Sequence, residues 1–157
     1  MAPTHFYRTK DIVKVIWNDK VKLPSENQPP PMPVVLKIDP RRQVVYSTFY
    51  GKLTDAEVTG HGHVIASDPD FKPHFSEIVD FTAVTETAVS ESTLAALASN
   101  PSLFSDSVVH IVVAPSEPLF QMASRYKDLA KSSRRNLFVV RTPAEAYRLL
   151  PAEPKPR

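Results

Sequence analysis

The chain has no cysteine, a single tryptophan and only three glycines in 157 residues. Without thiols there are no disulfides, no thiolate metal ligands and no cysteine nucleophile, and a reducing compartment, most simply the cytoplasm, is the expected location. The glycines stand at 51, 60 and 62. They are too few and wrongly spaced for G-x-G-x-x-G, a P-loop or a G-x-S-x-G elbow, which argues against dinucleotide and nucleoside triphosphate binding and against an elbow nucleophile. No uncharged apolar run approaches the roughly 20 residues of a membrane-spanning helix. The first residues do not read as a signal peptide, because His5, Arg8, Lys10, Asp11 and Lys14 interrupt them. A soluble chain is therefore expected.

At this length, with 42% apolar residues, one domain with one core is the default. The net charge of +2 is unevenly spread: residues 1–42 carry +4, residues 43–118 carry −8, and residues 119–157 carry +6. Such a pattern suits a partner of opposite charge. A pI near 8.9 is too modest to indicate nucleic acid, and none is expected.

Five of the ten residues from Pro24 to Pro33 are proline, which excludes helix and marks a linker. The chain thus divides into an N-terminal extension (1–33), a domain (34–150) and a short proline-containing tail (151–157). Within the extension, Asp11 to Trp17 is rich in β-branched residues and fits a strand added to a sheet edge.

From Val34 onward strands and helices alternate. Val34–Ile38 and Val44–Tyr50 read as an antiparallel hairpin around Asp39-Pro40-Arg41-Arg42. Thr54-Asp55-Ala56-Glu57 is a capping box opening a helix to about Ser67, ended by Asp68-Pro69-Asp70. Glu77–Phe81 follows as a buried strand. Ser90 and Ser92 can cap a helix that Asn100-Pro101 stops. Val108–Val113 is the most apolar strand, suited to cover on both faces. Leu119, Met122, Tyr126 and Leu129 mark an amphipathic helix from about Glu117 to Lys131. Leu137–Val140 is a further strand, and Thr142-Pro143-Ala144-Glu145 opens the last helix, Pro143–Leu150, with a second capping box and proline at its first position. The order ββαβαβαβα predicts an α/β fold: a mixed sheet of about five strands with about four helices.

This element order resembles that of the small bacterial STAS-like, or SpoIIAA-like, proteins. The likeness rests on the opening hairpin, the helix after Gly51-Lys52-Leu53-Thr54, Phe71 after Asp68-Pro69-Asp70, the strand ending Val79-Asp80-Phe81, and the closing stretch Val139 to Ala146; it covers roughly 34–150. It implies a non-enzymatic regulatory or protein-binding module, or, through lipid-binding relatives, a carrier of a lipid-like or apolar ligand. It also implies that Ser90, or else Ser92, occupies the place of a regulatory phosphoserine at a helix start, where added charge repels a docked partner. The stretch lacks the Asp-Ser-Ser-Gly signature of that branch, and Glu91 would repel a phosphate.

The remaining candidates come from the residues themselves. His61, His63 and His74 are metal-ligand types, but His61 and His63 stand about 200° apart on a helix, so no metal site is assigned. The neighbouring glycines are expected to let this helix pack closely on the sheet. Asp80 ends a strand where functional carboxylates are often found, so a small hydrolase using His61, His63 or Asp80 is a third class. The helix carrying Arg125 and Lys127, followed by Lys131, Arg134 and Arg135, is strongly basic beside an apolar stripe. With Phe120 off the stripe, it is a candidate surface for an acidic partner or an anionic lipid. No cofactor is expected, and a protein partner or self-association is.

Overall fold

The computed structural model describes residues 34–155 in full, with the backbone of 6–8 and 13–16. The Pro24–Pro33 linker lies outside the described residues. The β-strands are β1 (Phe6–Arg8), β2 (Val13–Ile16), β3 (Val34–Asp39), β4 (Val44–Thr54), β5 (Ser76–Ala88), β6 (His110–Val113) and β7 (Leu137–Val140). The helices are α1 (Asp55–Ala66), α2 (Glu91–Ser99), α3 (Glu117–Leu129) and α4 (Pro143–Leu149).

The expected ββαβαβαβα order holds over 34–150, with five strands and four helices. β1 and β2 extend the same sheet to seven strands whose spatial order is the chain order. The strand expected within Asp11–Trp17 is β2, paired antiparallel to β3 with Val15 opposite Val35. β3 and β4 are antiparallel, and β4 to β7 are all parallel.

Local chemistry explains the boundaries. The β3–β4 turn is held by the Asp39 carboxylate, which accepts from the Arg41 and Arg42 amides at 3.0 Å each. Glu57 closes the first capping box by accepting from the Thr54 amide at 2.8 Å and from its hydroxyl. At α4 the Thr142 hydroxyl accepts from the Glu145 amide at 3.2 Å, with Pro143 in the first turn. β4 and β5 run further than their apolar patterns indicate, β5 to Ala88. They pair in parallel to their far ends through register shifts near Gly51, which adopts φ +72. In this extra length Lys52 lies 3.7 Å from Glu86, and the pairing follows from β-ladder hydrogen bonds that no periodicity signals.

With strands laid down in chain order, right-handed crossovers carry α1, α2 and α3 over one face, and α4 returns over the other. The alternation of side chains divides the core accordingly. Leu36, Val45, Phe49, Phe81, Val112 and Leu137 pack toward α1–α3, with Ile65, Leu94, Leu119 and Ala123 from those helices. Val44, Ile78, Ile111, Val113 and Val140 pack with Ala146 of α4. Among the described residues no helix is long and apolar enough to cross a membrane.

Candidate functional site

The face beneath α1–α3 is not filled. A cavity of about 370 Å³ lies between the sheet and these helices. It is walled by apolar side chains such as Phe49, Phe81, Leu94, Phe104, Val112 and Met122. The segment 100–104 after α2 forms one side, where Leu103 is exposed.

Its floor is polar, and strand register makes it so. Val45, Glu77, His110 and Leu137 are successive partners across β4, β5, β6 and β7, and all point into the helix-covered face. Adjacent strands lie about 4.8 Å apart, which brings Glu77 and His110 into contact: His110 Nδ1 is 3.2 Å from Glu77 Oε1. His61 reaches down from α1, its Nε2 2.7 Å from the Ser47 hydroxyl and 3.9 Å from Glu77 Oε2. Glu77, His110 and Ser47 are all buried.

The electrostatics favour an ionised Glu77 carboxylate beside a neutral His61 ring. Burial pushes the Glu77 carboxyl up, but the His110 hydrogen bond and the charges of His61, His110 and Arg134 outweigh it and hold the group below the usual glutamate range. Burial acts oppositely on His61, holding it below the ordinary histidine value against the pull of Glu77, so its neutral form is favoured. Tyr126, also in the wall, has its phenol pushed up by burial and stays protonated.

These atoms do not make a nucleophilic relay. Such a relay needs the serine on one imidazole nitrogen and the acid on the other. Here Ser47 and Glu77 both address Nε2 of His61, and Ser47 is wholly shielded. Neither a family model nor a curated protein matches this chain.

The residues singled out from sequence scatter. His61 faces inward and His63, two positions on, is exposed; His74 is exposed elsewhere, its ring edge-on to Phe75 at 5.0 Å. No group of three or more His, Asp or Glu able to hold an ion occurs among the described residues. Close packing does not explain the glycines: a Cβ at Gly60 would meet nothing within 4 Å, and one at Gly62 only Leu103 Cδ1 at 3.6 Å. The helix stands over a cavity, and Ile65 is its one buried side chain. Asp80 lies on the α4 side of β5 in a pocket of about 420 Å³ shared with Lys37 and Tyr147, and accepts from the Thr82 amide at 2.8 Å.

Ser90 is the N-cap of α2, its Oγ accepting from the Thr93 amide at 3.2 Å. Its hydroxyl also donates to Asp55 Oδ2 at 2.9 Å and its amide to Asp55 Oδ1 at 2.7 Å. These bonds from Ser90 hold the Asp55 carboxyl below its usual range. A phosphate on Ser90 would meet the Asp55 and Glu91 carboxylates. Ser92 is exposed, 3.1 Å from Ser90.

The basic set is mostly engaged. Arg125 pairs with Glu91 at 2.6 Å, and Lys127 lies 6.0 Å from the Phe138 ring. Arg134 donates to the Ala98 and Asn100 carbonyls at the end of α2 and sits over Tyr126 at 5.8 Å. Phe120 is half-buried beneath the Arg141 guanidinium at 3.9 Å. Lys131 and Arg135 are exposed.

Sequence reasoning missed the pairing of Glu77 with His110. The available signal was a histidine inside the most apolar strand and a glutamate opening a buried one. Each is costly to bury alone, so each implied a partner.

Proposed function

We propose that this domain is a non-enzymatic module that binds a small, mostly apolar ligand in the cavity between the sheet and α1–α3. The observation that carries this reading is apolar walls closing over a few convergent polar groups, the usual build of a small-molecule site. A volume of about 370 Å³ is near the lower end of the roughly 300–1,000 Å³ range of such sites. At ~30 Å³ per water-sized group it holds about a dozen heavy atoms. The misplaced serine and acid around His61 support a binding role over hydrolysis. The STAS-like resemblance fits the same role through its lipid-binding branch. The phosphoserine branch is less favoured, because the Ser90 hydroxyl is already bonded to a carboxylate.

Native mass spectrometry of the full chain purified from its own host tests the reading. A bound species of a few hundred daltons is expected, and Leu97→Trp, which places an indole in the cavity wall, should remove it. Protein that carries nothing, and whose melting temperature no C6–C10 amphiphile raises, would overturn it.

A further inference from the structure

The polar floor has a sign. Two of its contacts are already made: His110 Nδ1 faces Glu77 Oε1 at 3.2 Å, and His61 Nε2 is bonded to Ser47 at 2.7 Å. Arg134, in the wall, donates to the Ala98 and Asn100 carbonyls and the Ser133 hydroxyl. What stays open is an acceptor. Glu77 Oε2 has no hydrogen bond from any described residue, and His61 Nε2 stands 3.9 Å away. The residue is buried, its side chain 12% exposed, and it lines the cavity. A carboxylate oxygen so placed lacks a donor, and a buried charge gains most from one that arrives with a ligand.

We propose that the cavity selects ligands whose polar end donates hydrogen bonds, an alcohol or an amine on an apolar body of about eight to ten carbons, and rejects carboxylate and phosphate heads. The inference rests on the ligand-binding reading above and adds the chemistry of the head. A hydroxyl or ammonium group donates to Oε2 while its chain lies along Phe49, Phe81 and Val112. An anionic head seated at Oε2 would bring a second negative charge against Glu77. The aromatic walls, Phe49, Phe81, Phe104 and Tyr126, also suit an ammonium ion.

Isothermal titration calorimetry of the full chain at pH 7.5 with 1-octanol, octylamine, octanoate and octyl phosphate tests this. The octanol and octylamine arms separate a neutral from a cationic donor. At least one is expected to bind on the order of tenfold more tightly than octanoate, the scale of one hydrogen bond to a charged group. Octyl phosphate should be weaker still. Glu77→Gln, with folding verified by circular dichroism, should erase the discrimination by strengthening octanoate and weakening octylamine. The wild-type ranking decides without the variant: octanoate binding as tightly as both donors overturns the head-group assignment while leaving the cavity reading intact. If none of the four binds, both fall.

Discussion

The two faces of the sheet are made by the same strands, one residue out of step, yet they do opposite things. Ile78, Ile111 and Val113 point toward α4 and close a dry layer with Val44, Val140 and Ala146. Their neighbours Glu77 and His110 point the other way, with Ser47 of β4, under three helices that do not fill the space above them. The difference shows that a strand reading as uniformly apolar can carry an apolar packing face and a polar floor together. The hollow beside α4, about 420 Å³, is edged by Lys37, Asp39, Arg42 and Asp80, whereas the one beneath the three helices closes over Glu77 and His110.

His110→Leu is expected to have the largest effect on this contrast. It leaves the Glu77 carboxylate buried without its hydrogen bond and should cost about 3–5 kcal/mol in chemical denaturation. Adding Glu77→Leu should recover most of that loss, because the uncompensated charge is then gone. If His110→Leu costs no more than an ordinary surface change, the polar floor is not the buried network described.

Acidification from pH 8 should act first on the polar face. His61 is held below its ordinary value of 6.5, so as pH falls past that value the unfolded chain takes up its proton first. Stability is whole above about pH 6.5 and declines below it. Glu77, also held low, adds a loss of the same sign as pH falls through the glutamate range. Melting temperatures between pH 8 and pH 4 should fall monotonically, and His61→Asn should flatten the upper part of the curve. A melting temperature that rises toward pH 5 would contradict the neutral imidazole.

The smallest change is on the packed face. Ile111→Val, at a site with no exposure, should cost about 0.5–1.5 kcal/mol. It should leave both the pH profile and ligand binding unaltered. Any shift in head-group preference would show that the two faces are coupled through β6.

Much of the architecture was legible before the structure. The first capping box, the Thr142 cap, the Asp39 turn, the Ser90 cap and the start of α3 follow from interactions within a few residues, which is why their signals survive in a linear sequence. The far halves of β4 and β5 were not legible, because Thr82 to Ala88 alternates weakly and is held by ladder pairing to a strand more than 30 residues away. The site was legible only as fragments: His61 stood out for its glycine neighbours, Glu77 as one acid among several, and His110 as a strand residue.

The sequence by itself determined which segments over 34–150 become strands and helices, where the helices start, and that two faces must be buried. Hydrogen bonds to nearby amides and the periodicity of apolar side chains are local quantities, and they suffice for that. Only the tertiary structure decided that Glu77 lies beside His110, that His61 descends onto Ser47, and that the helices stop short of filling the face above them. Those outcomes depend on interstrand register and on the summed volume of side chains far apart in the chain, neither of which any short stretch of residues contains.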